Sequence, residues 1–130
     1  MNTQESTTNS GNPEEKASLW QTAHLLVLSV YRYTRRFPNE EETGLTKEFR
    51  TSATRIASHL AESEKCVNPG RTMQLLISSQ SQLENCRYYL RLSEDLCYGS
   101  NNEIRHFIDY LAEELPKEIR KTRNNMSLGF

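Results

Sequence analysis

The chain has no Cys-x-x-Cys pair, no window of alternating apolar and polar residues, no internal repeat and no long apolar run. Each absence removes a class of protein. Three cysteines, Cys66, Cys86 and Cys97, are an odd number at unrelated spacings, which argues against a disulfide framework and for a reducing, cytoplasmic compartment. The longest apolar run, Leu25–Leu28, falls far short of the roughly 20 residues that span a bilayer, so no membrane is expected as a partner. Met1–Asn12 is polar throughout and reads as neither a secretory leader nor an anchor. An excess of either charge is also missing, since Lys and Arg total 16 against 17 for Asp and Glu. A polycation that coats nucleic acid indiscriminately is therefore excluded. The distribution is less even than the sum: residues 1–16 carry Glu5, Glu14 and Glu15 against Lys16, while the end of the chain carries Lys117, Arg120, Lys121 and Arg123 against Glu118.

What is present is helical periodicity. At 130 residues the chain is one domain's worth. Leu19, Ala23, Leu26, Val27, Val30 and Tyr31 step by threes and fours and predict a first helix over 18–36, with Trp20, Leu25 and Leu28 adding a second apolar flank that implies a further partner surface. Phe37-Pro38 ends it. The spacing of Asn39 and Glu42 matches a capping box, and Glu40, Glu41 and Glu42 suit the positive end of a helix, so this acidic stretch predicts a helix start rather than a catalytic site. Gly44 bends the turn. A second helix over 46–63 then turns Leu45, Phe49, Ser52, Ala53, Ile56 and Leu60 inward. Cys66–Arg71, with Pro69-Gly70, reads as a turn. A third helix over 71–98 places Met73, Leu76, Ile77, Leu83, Cys86, Leu90 and Cys97 on one side, with Tyr88, Tyr89 and Leu92 on the other. After Gly99–Asn102 a fourth carries Ile104, Phe107, Ile108, Leu111, Leu115 and Ile119, with Pro116 expected to kink it. The expected fold is all-α, an antiparallel up-and-down four-helix bundle over 17–124, between a disordered polar tail at 1–16 and a flexible tail at 125–130.

Catalytic chemistry finds little support in these residues. Glu103-Ile-Arg-His106 has the Glu-x-x-His spacing used by di-metal bundles, but neither His24 nor His59 has a carboxylate three residues earlier. No nucleophile elbow is present. The expectation is a protein that is not an enzyme and takes no cofactor or metal. The arginines carry more: Arg87 and Arg91 are one turn apart with Tyr88 and Tyr89 between them, and guanidinium forks and aromatic faces both suit nucleic acid. Arg32, Arg35 and Arg36 form a second cluster. Arg50 and Arg55 are further candidates.

Phe37–Glu62, FPNEEETGLTKEFRTSATRIASHLAE, resembles the signature of a bacterial four-helix-bundle family first named for proteins encoded in intervening sequences of large-subunit ribosomal RNA genes. The resemblance extends from Leu19 to about Arg123, and departs from the family at His59 and Ser63. The same family includes the accessory variability determinants of diversity-generating retroelements, to which Cys86–Leu92, CRYYLRL, is similar. That resemblance implies a barrel-like homopentamer that associates with a reverse transcriptase and with RNA or an RNA–DNA hybrid. The other expectation is a self-assembling structural or interaction protein with no direct nucleic-acid role. A neighbouring reverse transcriptase gene would favour the first, and an insertion within a ribosomal RNA gene the second.

Overall fold

A computed structural model describes residues 18–127, so the expected tail at 1–16 and the last three residues lie outside it. The described chain holds four α-helices: α1 (Leu19–Thr34), α2 (Leu45–Lys65), α3 (Pro69–Asp95) and α4 (Asn102–Ser127), with a 3₁₀ turn at Asn39–Glu41 between α1 and α2. No strand occurs among the described residues. Helices adjacent in sequence pack together, α1 closes the ring on α4, and the backbones of the diagonal pairs, α1 with α3 and α2 with α4, stay more than 8 Å apart. Short connections force neighbours antiparallel, which is the up-and-down arrangement the periodicity predicts. Residues 125–127, expected in the tail, continue α4.

The core follows the apolar stripes closely in α2 and α4. Leu45, Phe49, Ser52, Ala53, Ile56 and Leu60 are all buried, as are Ile104, Ile108, Leu111, Leu115 and Ile119. Several assignments differ: Cys97, expected on the inward side of the third helix, is exposed beyond its end, and Trp20, expected on the outer flank of α1, packs against the core. In α1 it is Tyr33, 2% exposed, that enters the core, whereas Tyr31 stays 39% exposed. In α3 Leu75 is buried and Ile77 is exposed, because the stripe faces two neighbours rather than one and shifts around the helix along its length. Tyr33, Phe37, Phe49, Tyr89 and Tyr98 gather at one end, with Tyr33–Phe37 and Phe37–Tyr98 centroids 5.1 and 4.8 Å apart. Truncating a fully buried member such as Phe49 removes about 3–5 kcal/mol, so this cluster outweighs any single cap.

Helix ends show where local chemistry departs from the expected boundaries. At α1 the Ser18 Oγ accepts from the Gln21 amide and the Gln21 side chain accepts from the Ser18 amide, a reciprocal capping box. Pro69-Gly70 is not a turn but the first turn of α3: Asn68 Oδ1 accepts from Gly70 N at 2.8 Å and Arg71 N at 3.2 Å, and proline at N1 loses no hydrogen bond. The helix stops at Asp95 rather than Tyr98 because Cys97 is left-handed, φ 66°. Tyr98 N then bonds Ser93 O and Cys97 N bonds Glu94 O, a Schellman closure with cysteine at the position where glycine is favoured. α4 continues through Pro116.

The acidic stretch does start α2, through a different residue. Asn39 makes no capping bond, and the box with Glu42 is absent. Instead Glu41 Oε1 accepts from Leu45 N at 3.1 Å, while its Oε2 accepts from the Tyr98 hydroxyl at 2.8 Å. Gly44 makes room, since a Cβ there would stand 3.1 Å from Glu41 Oε1. The same carboxylate thus caps α2 and holds the α3–α4 turn. Replacing Glu41 with Ala should lower unfolding free energy by about 1–2 kcal/mol in urea denaturation, from the lost cap and hydrogen bond. Glu40→Gln and Glu42→Gln, both at exposed positions, should stay within about 0.5 kcal/mol of the parent. The hydrogen bond to Glu41 raises the Tyr98 phenol above its ordinary 10.0. A raised folded value means that this contribution is complete below pH 10 and is lost as pH climbs through the folded value. Tyr98→Phe should accordingly flatten the fall in Tm above pH 10 relative to the parent, as followed by circular dichroism.

Candidate nucleic-acid interface

The seven candidate arginines do not converge; the helices distribute them over separate surfaces. Arg87 and Arg91 stand one turn apart on α3 as their spacing requires, but each is held by a different carboxylate. Arg87 Nη1 meets Asp109 of α4 at 3.0 Å and its Nε lies 3.6 Å from Glu84, while Arg91 Nε meets Asp95 at 3.0 Å. Between them, Tyr88 is exposed and Tyr89 packs on Phe49. Arg32 turns to the α1–α4 seam, where its Nη2 meets Glu103 Oε1 and Ser29 Oγ at 3.3 Å each. The Ser29 hydroxyl, donating at 2.7 Å, is the main cause that holds the Glu103 carboxyl below its ordinary range, with Arg32 adding to it. Exposed pairs of this kind are worth about 0–1 kcal/mol, so a phosphate could exchange for any of these carboxylates, but the resting state is neutralised.

A different environment surrounds the corner of α1 and α2. Arg50, half-buried, donates through Nε to Thr34 Oγ1 at 2.8 Å and through Nη2 to Tyr31 O at 3.4 Å, and its guanidinium lies 4.4 Å over the Tyr31 ring. Arg35, on the last turn of this corner, and Lys47, three residues before Arg50, are exposed, and their side chains make no hydrogen bond or ion pair among the described residues. Two shallow depressions, about 260 and 130 Å³, share Glu42, Thr46 and Arg50; Lys47 borders the larger and Arg35 the smaller. Lys47 escaped the reading of the sequence, although its i, i+3 relation to Arg50 already places the two on one face of α2. Arg36 lies near the Gly99 turn, and Arg55 is exposed further along α2.

Other candidate chemistry is dispersed. Glu103 is engaged with Arg32 and Ser29, and no group of three or more His, Cys, Asp or Glu residues is placed to hold a metal among the described residues. Burial pushes the Cys86 thiol up to about 12, so it stays protonated at neutral pH and serves as a core side chain. His59 Nδ1 is buried without a hydrogen-bond partner, so this imidazole contributes packing at its position. No described helix is long and apolar enough to cross a membrane.

The sequence profile described as 23S rRNA-intervening sequence protein matches residues 15–121, a span that takes in α1, α2, α3 and most of α4. The chain belongs to that family. A comparison with curated proteins found no match. In this intervening-sequence family member the stretch from Phe37 to Arg50 is a helix junction in which several residues have a mechanical task. Phe37 and Leu45 are buried, Glu41 caps and latches, Gly44 leaves room for that carboxylate, and Arg50 ties α2 back to the last turn of α1. Arg50→Lys keeps the charge but cannot reproduce a planar donor bonded at two points and stacked on Tyr31. It should lower stability by about 1 kcal/mol in chemical denaturation, with helicity retained.

Proposed function

We propose that this protein acts without catalysis, as a self-associating bundle whose assembled form holds nucleic acid, RNA or an RNA–DNA hybrid, by its phosphate backbone. The observation that carries the reading is the apolar surface left outside the core. Leu25, Leu28 and Tyr31 are 46%, 41% and 39% exposed on α1, and Ile77 and Tyr88 are 49% and 59% exposed on α3. Because α1 and α3 are diagonal, these patches lie on different sides of the bundle. Two unlike patches on opposite sides suit a head-to-tail contact, which closes into a ring when the rotation per copy divides the circle. Beside Ile77 lies a groove of about 390 Å³ bordered by Leu83 and Ala112, a fitting receptor for the leucines of a neighbouring α1. Five copies per ring is the number implied by the resemblance to retroelement accessory proteins.

Association with a reverse transcriptase in a diversity-generating retroelement is the narrower form of this proposal, and its support is the CRYYLRL stretch. In that stretch Cys86 and Leu90 are core and Tyr89 and Leu92 pack against it, which leaves Arg87, Tyr88 and Arg91 to meet a partner. A purely structural assembly without nucleic acid is the alternative, and it keeps the same apolar contacts. Leu25→Glu with Leu28→Glu should reduce the parent's assembly to monomer in light scattering at micromolar concentration, with far-UV circular dichroism unchanged because both side chains lie outside the core. A parent that is already monomeric under those conditions overturns self-association.

A further inference from the structure

At the α1–α2 corner a guanidinium is held in place by a hydroxyl, a carbonyl and a ring rather than by a carboxylate. Arg50 spends two donor groups on Thr34 and Tyr31 and is stacked on a ring, so its guanidinium is already immobilised, yet Nη1 makes no hydrogen bond among the described residues. Such a fixed fork loses little freedom on meeting an anion, whereas a mobile surface lysine must be ordered first. Arg50 borders two depressions, one of which Arg35 also lines and the other Lys47, so three cations border this corner. Thr46 and Thr51 add hydroxyls along the α2 wall, which an anion can accept from, whereas Thr54 already donates to Arg50 O at 2.9 Å. Among the described residues the only acid bordering both depressions is Glu42, exposed and without an ion pair there. By contrast, Arg87 and Arg91 begin neutralised by Asp109, Glu84 and Asp95.

We infer that the α1–α2 corner, with Arg50 as its fixed anchor and Arg35 and Lys47 on either side, is the phosphodiester-binding site of this protein. The inference rests on the nucleic-acid reading above and relocates its contacts from α3 to α1 and α2. The ligand class is a single-stranded or hybrid nucleic-acid backbone, recognised by its successive phosphates and not by its bases. Glu42 sits at the middle of that track and opposes the anion, which makes it a restraint on affinity.

The test is fluorescence anisotropy of a labelled oligouridylate with the full chain over a salt series, alongside competition by inorganic phosphate. Arg35→Ala with Lys47→Ala, neither of which supports another side chain, should weaken binding about tenfold at low salt and reduce the salt slope by about 1.4, the value for two lost contacts to a single strand. Glu42→Gln should tighten it. Arg87→Ala with Arg91→Ala should weaken binding less than the corner variant does. Millimolar inorganic phosphate should compete weakly, since a free ion engages one position where a strand engages three; competition as strong as that of unlabelled strand would show a site for a single phosphate and overturn the strand-binding assignment. If the corner variant binds like the parent while the α3 variant is impaired, the corner is not the site and the nucleic-acid reading survives on α3. If the parent binds no oligonucleotide at 50 mM salt, the nucleic-acid reading itself falls, and this inference with it.

Discussion

The Glu41 carboxylate joins two parts of the chain that lie 57 residues apart in sequence, and the arrangement of one whole end of the bundle depends on it. One oxygen accepts from the first amide of α2 and the other from the Tyr98 hydroxyl, just beyond the end of α3. Tyr98 reaches that position only because the chain reverses through left-handed Cys97, and it lies against Phe37 once there. Tyr33 completes the closure by donating to Gly99 O at 2.5 Å, at a residue whose φ of 109° suits only glycine. The aromatic rings supply most of the free energy at this end, through burial. The polar bonds decide which rings meet, because an unpaired buried hydroxyl or helix amide costs more than the bond gains.

A near-neutral chain still has to place its charges somewhere, and the arginines divide into three kinds. Arg32, Arg71, Arg87, Arg91 and Arg105 end on carboxylates across or along helix seams. Arg50 is an architectural cation, bonded to a hydroxyl and a carbonyl and stacked on a tyrosine. Arg35 and Arg55 remain open to solvent without either kind of partner among the described residues. Clusters that look alike in the sequence are therefore different electrostatically, and counting basic residues in a window does not separate them. Screening strengthens the distinction, since an anion gains less from a guanidinium already paired at about 3 Å than from one with a free edge.

Not every apolar residue of α1 enters the core. α1 needs one stripe to pack on α2 and α4, and that stripe runs through Ala23, Leu26, Val30 and Tyr33. Leu25 and Leu28 fall outside it by the geometry of the helix, since they sit on the face turned away from both neighbours. Ile77 and Tyr88 are exposed in the same way on the diagonal helix α3.

Four helices, their order, their antiparallel arrangement and nearly all of the cores of α2 and α4 were legible in the sequence, because apolar spacing of three and four is a local property that survives any packing. The starts of α1 and α3 were open to the same reading through Ser18–Gln21 and Asn68-Pro69, whose capping chemistry is written in adjacent residues. Local spacing could not separate Tyr31 from Tyr33, since both lie near the edge of one stripe and only the neighbouring Phe37, Phe49 and Gly99 select which turns inward. Nor could it find the capping residue among three consecutive glutamates, because Glu41 is chosen by a tyrosine 57 positions away. The arginine candidates divide for the same reason. The sequence states how many cations there are and on which helix face, whereas Asp109 beside Arg87 and Thr34 beside Arg50 belong to other helices, brought there by tertiary packing alone.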